Sequence, residues 1–523
     1  MLLDNFTYTV FGFGSLTDGE LVRIMYTVLL AVMAGVAGWR LYEWRLRAVP
    51  GRRSVPGVVC LVLVWVAPWV VVAATGQEQQ RADDLPPLSA RMPAAGAVRP
   101  NVLIIGVDGI DAQALSAYGY ERATTPFLES LSEQSLFFEN AFSNADRTHG
   151  SLVTLLTGRL PFETRVTFPP TALQGEDARR NLAMILKERG YATVQLGMRH
   201  YADANDMNLT GFDAVNYRWR FAEGAASGPA LADETRVFQG QVADRLHQRL
   251  GRLLGLEQTA DAFAEVQGRK QVPAWRDERR VATLEAHFQR AAEPWFVHLH
   301  LLDTHCCEVR PRERYFASGL RELDLRDSQI RETDGQLRRL FVRLADTGLL
   351  ERTIVVVTSD HGAHWIATER VPLMIRFPNA EPRGRVQANV QLADVAPTVL
   401  DYLGAAIPDW MSGLSLLDPG RIPPDRDLFG VSNVLAWKGE VPSLVLRQVG
   451  PPNYGAAAVM MIRGDRWFDL KLASGALAFG RVSGHTRPDG RPVSTQDARH
   501  AIQAVLDRTG FQIGIDGVEA PKP

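Results

Sequence analysis

Two segments place polar residues directly after apolar runs, where they could hold a metal ion. Residues 355–361 (VVVTSDH) end in a carboxylate and an imidazole, and residues 101–108 (NVLIIGVD) end in a second carboxylate. Continuous apolar runs of this kind are typical of buried parallel strands, and the carboxyl ends of such strands form the ligand-binding edge of a sheet. Asp108, Asp360 and His361 are therefore predicted ligands of one metal ion. Taken alone, an Asp-His-Gly turn is also what an exposed loop would show.

A third segment places hydroxyl groups before an apolar run that ends at Gly158. Its sequence is DRTHGS at residues 146–151, so a helix is predicted to begin near Thr148 or Ser151. The free N–H groups and the dipole of a helix N-terminus stabilise bound anions, which makes Ser151 a predicted substrate contact. The simpler interpretation is that either hydroxyl only caps the helix.

Strands and helices alternate from residue 101 to residue 358. Alternation of this kind predicts an α/β fold with a mainly parallel sheet flanked by helices. Hydrophobic periodicity and flanking Gly and Pro residues define the elements. The predicted strands are residues 101–107, 192–196, 295–302 and 353–358, and the predicted helices are residues 125–134, 178–189 and 328–347.

Further motifs follow one another in a fixed order along residues 101–417. They include TPFL at 125–128, LTGRLP at 156–161, LLDTH at 301–305 and VPLMIRFP at 371–378. In this order they resemble the sulfatase-type members of the alkaline phosphatase superfamily. The resemblance implies a catalytic domain at 101–417 with one metal site at the strand ends, and a nucleophile on the helix that follows. It also implies a small C-terminal α+β subdomain at 418–523, in which residues 459–470 suit a hairpin.

Within that resemblance, the spacing to Thr157 makes Thr148 the counterpart of the family nucleophile. Sulfatases have Cys or Ser there, followed by Pro and Arg, and oxidise it to formylglycine, whereas this chain has THGSL at 148–152. Threonine cannot become formylglycine. A Thr nucleophile, here also a metal ligand, is similar to phosphoethanolamine transferases, lipoteichoic-acid synthases and nucleotide phosphodiesterases of the superfamily. His361 stands where sulfatases usually have a calcium-binding Asn, and an imidazole favours zinc or manganese over calcium.

Other site residues are implied by the same resemblance. His305 lies where the family places a substrate-contacting imidazole, and could protonate the leaving group. The turn GMRH at 197–200 matches the family's Gly-Lys-Trp-His turn in part, which makes Arg199 and His200 expected substrate contacts. The two-metal relatives need an Asp and a His four residues apart, and Asp303 with His305 does not fit, so a single divalent metal ion is expected.

The strand at 295–302 carries two further histidines, His298 and His300, within an apolar run. Alternate positions in such a strand are more often packed in the core than used in catalysis. Both histidines are therefore predicted to be structural.

The N-terminal region predicts a membrane anchor. Two apolar runs, residues 21–39 and 55–74, are 19 and 20 residues long, enough to span a hydrocarbon core of about 30 Å. The loop between them holds five arginines, and arginine-rich short loops stay on the cytoplasmic side. The prediction is a short N-terminal segment (1–20), a two-helix anchor (21–75) and a Pro-rich linker (76–100) to an extracytoplasmic domain, with the lipid bilayer as a partner.

Composition excludes other classes of protein. The 57 Lys and Arg balance 59 Asp and Glu to a net charge of −2, so there is no basic excess for a nucleic-acid partner. Three cysteines provide neither a disulfide framework nor a zinc-finger spacing, although a vicinal disulfide between Cys306 and Cys307 stays open.

Together these features predict a metal-dependent hydrolase or transferase anchored in a bacterial inner membrane with its catalytic domain in the periplasm. The expected substrates are phospho-esters of an envelope lipid or glycan, and the helical insertion at 218–294 would shape the acceptor side. Two alternatives stay open: a sulfuric ester hydrolase that works without formylglycine, and an inactive domain that binds a sulfated or phosphorylated partner.

Overall fold

The computed structural model describes the chain from residue 99 to residue 513 with gaps, plus isolated positions between 25 and 43. The chain divides into two compact units, Met1–Asp84 with Thr235–Ala264, and Leu85–Glu234 with Glu265–Pro523. No helix among the described residues is long and apolar enough to cross a membrane. Apart from isolated positions in the first, both predicted spans lie outside the described residues, as do residues 76–98 of the linker, most of the insertion, and Cys306 with Cys307. The described ranges are 99–169, 171–198, 201–216, 218–219, 277–288, 293–305, 311–433, 435–438, 441–444, 452–486 and 493–513.

A nine-stranded sheet forms the centre of the second unit. Its strand order is β5-β4-β3-β6-β1-β7-β8-β2-β9, and five of its eight strand pairs are parallel. The predicted α/β fold with a mainly parallel sheet is therefore confirmed. The strands are β1 (Asn101–Val107), β2 (Leu136–Phe142), β3 (Ala192–Leu196), β4 (Ala214–Val215), β5 (Arg218–Trp219), β6 (Trp295–Leu301), β7 (Thr353–Ser359), β8 (Arg370–Arg376) and β9 (Gly384–Gln391).

Helices cover both faces of this sheet. Along β1, Ile104 belongs to one buried apolar cluster while Ile105 belongs to another, as expected when successive side chains point to opposite faces. A sheet buried on both faces needs strands that are apolar at every position, and β1 is buried throughout. The helices of this region are α1 (Pro126–Ser132), α2 (Thr148–Thr157), α3 (Pro161–Thr164), α4 (Leu182–Glu188), α5 (Asp277–Phe288), α6 (Arg321–Asp346) and α7 (Val395–Tyr402).

Two helices differ from the predicted bounds for identifiable reasons. α4 begins at Leu182 rather than 178, because the Asn181 side chain caps it by accepting a hydrogen bond from the Met184 amide at 3.0 Å. α6 begins at Arg321 rather than 328. Its first turns bury Asp324 and Asp327, which both form ion pairs with Arg122. Because these buried positions are polar, the hydrophobic periodicity did not extend to the true start of the helix.

The strand arrangement brings the predicted site residues to one edge. β1 lies between β6 and β7 and is parallel to both, and Val107 is level with Leu301 and with Ser359. Asp108, Asp303 and Asp360 therefore leave the sheet at the same edge. β2 is separated from β7 by two antiparallel pairings, through β8, so it also points toward this edge and delivers α2 there.

A second, antiparallel sheet supports the segment that precedes α2. Its hairpin β13–β14 matches the predicted hairpin at 459–470. Ala145 forms a bridge with Val431, and Asn433 donates to the Asp146 carboxylate through its side chain at 2.6 Å and its amide at 3.1 Å. The elements are β10 (Leu428–Asn433), β13 (Ala456–Arg463), β14 (Arg466–Lys471), β15 (Leu477–Arg481) and α8 (Thr495–Thr509), with a separate hairpin of β11 (Leu435–Lys438) and β12 (Val441–Leu444).

Candidate active site

Asp108, Asp360 and His361 form a buried group of metal-type donors. One ligand atom from each lies within 4.8 Å of the others, and all three residues are buried. Asp108 Oδ1 and Asp360 Oδ2 are buried without a hydrogen-bond partner in the part of the chain that the structure describes. Buried carboxylate oxygens without a partner are costly unless a cation compensates them, so the donor set fits a divalent ion.

Backbone contacts fix the orientation of these donors. His361 Nδ1 lies 2.9 Å from the Gly362 carbonyl, which can only accept, so Nδ1 carries the proton and Nε2 presents its lone pair to the carboxylates. Asp360 Oδ1 accepts from the Gly109 amide at 3.2 Å and the His361 amide at 2.9 Å, which leaves Oδ2 turned to the site. The donors are therefore set in place by the protein itself.

The surroundings of the Asp108 carboxyl group lower its pKa and so favour its ionised form. Burial works to raise the pKa of this carboxyl group. The charge of His305, a hydrogen bond from His300 and the charges of His361 and His300 outweigh burial, and the pKa lies below its ordinary value. The lowered pKa favours the ionised carboxylate of Asp108, which can serve as an anionic ligand.

Thr148 begins α2 and points into this group. Its Oγ1 lies 3.3 Å from Asp108 Oδ2, 3.3 Å from His361 Nε2 and 2.9 Å from the Tyr201 hydroxyl. Arg147 occupies the N-cap position without a side-chain cap, so neither predicted hydroxyl is the N-cap. The hydroxyl of Thr148 lies among the donors and at the positive end of the α2 dipole, as a nucleophile would.

Both polar groups of Ser151 that could contact a substrate are bound to the preceding segment, and its role as a substrate contact stays a prediction. Its Oγ donates to the Ala145 carbonyl at 3.1 Å and its amide donates to the Arg147 carbonyl at 3.1 Å. The reason is helical geometry. Because the helix begins at Thr148, the Ser151 amide closes the first turn, and its side chain turns back toward the preceding loop.

His300 lies at the site, which corrects the prediction that it is only packed. Its Nε2 is 3.4 Å from Asp108 Oδ2 and 3.9 Å from Asp360 Oδ2. Burial works to lower its pKa, but the hydrogen bond with Asp108 and the two carboxylate charges raise it above the ordinary value. Because β6 neighbours β1, a residue on the apolar strand reaches the carboxylates of the next strand end. His298, two residues earlier, has no partner for either ring nitrogen among the described residues and fits the structural prediction.

Tyr201 is a site residue that the sequence did not indicate. Its hydroxyl contacts Thr148, and its ring meets the His305 ring edge-on with centroids 5.7 Å apart. Burial raises the pKa of Tyr201 well above its ordinary value, and the charges of Asp108 and Asp360 add to this effect. The only sequence signal was its position directly after the GMRH turn. Arg199 and His200 lie outside the described residues.

A stacked cation lies next to the nucleophile. The guanidinium of Arg147 lies over the Trp365 ring, with Cζ 4.8 Å from the ring centroid, and both residues are half-buried. Trp365 belongs to the loop after the Asp-His pair and donates its amide to the Gly362 carbonyl at 3.2 Å. This pair joins the two segments that carry Thr148 and His361, and it brings positive charge to their rim.

A second donor group lies in the same loops. One ligand atom from each of Asp111, His364 and Glu369 lies within 4.8 Å of the others, but His364 is exposed. Most of these donors have partners: Arg326 pairs with Asp111 at 2.7 Å, the Ala363 amide donates to Asp111 at 2.7 Å, and His364 Nδ1 lies 2.7 Å from Glu369 Oε1. Glu369 Oε2 is buried without a hydrogen-bond partner among the described residues. No sequence pattern indicated this group, since its members are neither adjacent nor at strand ends.

A family model described as Sulfatase matches residues 100–405 of this chain. The chain belongs to the sulfatase family. The matched region holds every described residue of the site, including Thr148 and Tyr201, and the resemblance seen in the motifs is confirmed. Members of this family are enzymes, and they bind a metal ion.

Curated relatives of this sulfatase-family enzyme include the ulvan-active sulfatase of Formosa agariphila. It is 24% identical over 387 residues, which cover 68% of this chain and 72% of the relative. The steryl-sulfatase of Mus musculus is 27% identical over 414 residues, covering 60% of this chain and 64% of the relative. The arylsulfatase K of Bos taurus is 32% identical over 157 residues, which is 28% of each chain.

Solved structures share the fold at low sequence identity. A phosphonate monoester hydrolase from Silicibacter pomeroyi superposes with a TM-score of 0.50 at 20% identity, covering 79% of this chain and 94% of the other. A protein in the alkaline phosphatase superfamily from Vibrio parahaemolyticus superposes with a TM-score of 0.52 at 15% identity, covering 84% and 97%. At such identities the similarity establishes the fold.

Proposed function

We propose that this sulfatase-family chain is a metal-dependent hydrolase of phospho-esters that uses Thr148 as its nucleophile. The observation that carries the proposal is the position of Thr148 Oγ1, 3.3 Å from both Asp108 and His361 at the N-terminus of a buried helix. Threonine cannot be oxidised to formylglycine, so an ester formed directly on this hydroxyl is the simplest covalent route.

The residues supply distinct parts of the reaction. A divalent cation, zinc or manganese in preference to calcium, held by Asp108, Asp360 and His361 would lower the pKa of the Thr148 hydroxyl and withdraw charge from the ester. Thr148 Oγ1 then forms a bond to phosphorus while the bond from phosphorus to the leaving oxygen breaks. His305, beside Tyr201, is proposed to give the leaving oxygen its proton.

Positive charge around the nucleophile favours an anionic ester. The free amides at the start of α2 lie beside Thr148, and Arg147 precedes Thr148 in the chain with its guanidinium stacked on Trp365. Together they provide donors for the non-bridging oxygens of a phosphate group, which carry negative charge throughout the reaction. No arginine stands in the first turn of α2 after Thr148, so Arg147 is the cation that its own segment supplies.

A second candidate function is hydrolysis of sulfate esters by the same threonine. The match to relatives named ulvan-active sulfatase and steryl-sulfatase favours it. The two functions share the nucleophile and the metal ligands and differ in the ester, so a substrate panel separates them.

We also propose that residues 21–75 anchor the chain in a bacterial inner membrane, with the catalytic domain in the periplasm and an envelope lipid or glycan as substrate. Two apolar runs separated by an arginine-rich loop support this topology. A phosphatase reporter fused after Val98 should be active, and a reporter that works only in the cytoplasm should be silent there. The opposite pattern would contradict the periplasmic location.

The nucleophile is tested with Thr148→Ala and Thr148→Ser on bis(p-nitrophenyl) phosphate and p-nitrophenyl sulfate. Thr148→Ala should lower turnover by about three orders of magnitude or more, as deletion of a nucleophile does, and Thr148→Ser should keep part of the activity. Intact-mass analysis should show a phospho-adduct on the wild type and none on Thr148→Ala.

Thr154→Ala is the matched control, since Thr154 is buried on the same helix and its hydroxyl has no hydrogen-bond partner among the described residues. It should keep wild-type turnover. Wild-type turnover in Thr148→Ala would place the nucleophile elsewhere. Faster turnover of the sulfate ester than of the phosphate ester would favour the second candidate function, and turnover of neither would favour an inactive binding domain.

A further inference from the structure

We propose that Tyr201 is a catalytic residue that donates its phenolic hydrogen to Thr148 Oγ1 and helps this oxygen leave when the covalent intermediate is cleaved. The proposal rests on the proposed function, because it takes Thr148 as the nucleophile. It assigns a role to the oxygen that forms the shortest hydrogen-bonding contact with Thr148 Oγ1 among the described residues, at 2.9 Å.

The hydrogen-bond donors and acceptors around Thr148 lead to this assignment. Asp108 Oδ2, at 3.3 Å, is an ionised carboxylate oxygen and can only accept. His361 Nε2, at 3.3 Å, also accepts, because the Gly362 carbonyl holds the ring proton on Nδ1. Of these three neighbours of Thr148 Oγ1, only Tyr201 can donate. Before the reaction either oxygen can be the donor across this contact, and Tyr201 also forms a hydrogen bond with Asp108. In the covalent intermediate Oγ1 carries no hydrogen, so only Tyr201 can then donate across it.

The Tyr201 side chain is held firmly in this position. Its ring packs against the buried cluster on one face of the central sheet and meets the His305 ring edge-on. Its amide donates to the Met198 carbonyl at 3.2 Å, closing a turn. A donor fixed by packing costs little reorganisation when charge develops on the oxygen it contacts, which is the basis of electrostatic catalysis.

The hydrogen bond from Tyr201 affects the two steps of the reaction unequally. When Thr148 attacks, a hydrogen bond to Oγ1 stabilises the nucleophile before reaction as well as during it, so the gain is small. When the intermediate is cleaved, a water oxygen bonds to phosphorus and the bond from phosphorus to Oγ1 breaks, with its electron pair passing to Oγ1. The water passes one proton to His305, which gave up its own proton in the first step, and Oγ1 regains from solvent the proton that Thr148 lost on attack, so the protons balance over the cycle. Negative charge builds up on Oγ1 in this step, whereas it is lost from Oγ1 when Thr148 attacks, and Tyr201 stabilises the charge as it builds up.

Tyr201→Phe tests the proposal because it removes only the hydroxyl. With an aryl phosphodiester that has a good leaving group, turnover should fall on the order of a hundredfold, the usual cost of losing one fixed donor. The phospho-adduct on Thr148 should accumulate above its wild-type level in intact-mass spectra, and an initial burst of p-nitrophenol should appear. Tyr191→Phe is the control, since the Tyr191 hydroxyl donates to the Pro100 carbonyl at 2.9 Å, at the opposite end of the sheet strands from the site.

Leaving-group dependence separates this role from a structural one. Slower cleavage of a common intermediate should be pronounced for good leaving groups and fade for poor ones, for which the first step limits turnover. An equal loss for all leaving groups, or a Tyr201→Phe variant that turns over within twofold of the wild type, would overturn the proposal. Failure of the nucleophile assignment gives a different result, since Thr148→Ala would then stay active and carry the adduct elsewhere.

Discussion

The chain builds two groups of metal-type donors from the same loops, and they differ in burial and in how far the protein itself compensates the donors. The buried group of Asp108, Asp360 and His361 has two carboxylate oxygens without partners in the described part of the chain. In the half-exposed group of Asp111, His364 and Glu369, Arg326 and a backbone amide already compensate Asp111. Donor type and spacing are similar, so they do not distinguish the groups.

What differs is whether the protein itself satisfies the donors. In the buried group, backbone amides hold one oxygen of Asp360 and leave the other unpaired, an arrangement that is stable only with a cation. In the exposed group, Arg326 and the Ala363 amide compensate Asp111, and His364 contacts one oxygen of Glu369, while the other oxygen, Oε2, is buried without a partner among the described residues. The two groups therefore differ in degree: both carboxylates of the buried group have an unpaired oxygen, whereas one of the two carboxylates of the exposed group does.

Removal of one ligand from each group should give the largest difference in metal content and turnover between the two groups. Asp360→Ala should abolish binding of the single zinc or manganese ion and lower turnover by about three orders of magnitude, because the remaining ligands cannot restore the geometry. Glu369→Ala should keep both metal content and turnover. Metal analysis of the purified catalytic domain checks the stoichiometry. A second equivalent of metal that disappears in Glu369→Ala would show that the exposed group also binds.

His300 sharpens the comparison, because it supports the buried group without belonging to it. His300→Leu removes the hydrogen bond to Asp108, and metal affinity should fall about ten- to a hundredfold, as for other residues that orient metal ligands. His298→Leu is the control on the same strand. Burial lowers the pKa of His298 to about 3, and neither of its ring nitrogens has a partner among the described residues, so the change should leave affinity intact. Equal metal affinities in the two variants would contradict the role of His300.

Arg147 tests whether the rim of the buried group recognises charge. Arg147→Ala should raise KM for a phosphodiester about tenfold with a smaller change in kcat, because the guanidinium meets the anion before and during the reaction. Arg385→Ala is the matched control, since Arg385 also lies over an aromatic ring, at 4.6 Å from the Phe137 centroid. Steady-state kinetics in low and high salt check the effect. An unchanged KM for Arg147→Ala would exclude the contact.

The exposed group should affect how the free energy of unfolding depends on pH, rather than the binding of metal. Burial and the charge of Asp111 raise the pKa of Glu369 to about 7, above its value in the unfolded chain. A raised carboxyl pKa means that stability is fully present below the unfolded value, about 4.3, and is lost as pH rises toward 7. Relative to Glu369→Gln, the wild type should lose about 1 kcal/mol of unfolding free energy between pH 5 and pH 8, a partial effect because solvent screens the group. A loss that is the same in both proteins would contradict this assignment.

The sequence predicted the site residues that follow the ends of strands. It missed those that reach the site from a neighbouring strand or from a loop. Asp108, Asp360 and His361 follow apolar runs, and the parallel arrangement alone brings such ends together. The site contact of His300 was missed because it depends on which strand lies beside β6. Tyr201 was not predicted at all, because it contacts Thr148 across a separation of 53 residues in the sequence. The sequence left open whether the helix begins at Thr148 or at Ser151; it begins at Thr148, so the Ser151 amide is bonded within the first turn. Roles of the residues that face the site remain predictions.

The central position of β1 also bears on how the chain reaches its fold. β1 is synthesised first among the strands of its sheet, yet both of its neighbours come late: Asn101 and Glu293 are 192 positions apart, and Gly109 and Asp360 are 251 apart. During synthesis, both edges of the apolar strand β1 therefore stay unpaired until β6 and β7 have been made. Such edges promote aggregation, and contacts this distant in sequence form slowly. The metal-type donors meet only after β7 has emerged and paired with β1, so a loaded site would report that these two central strands have come together.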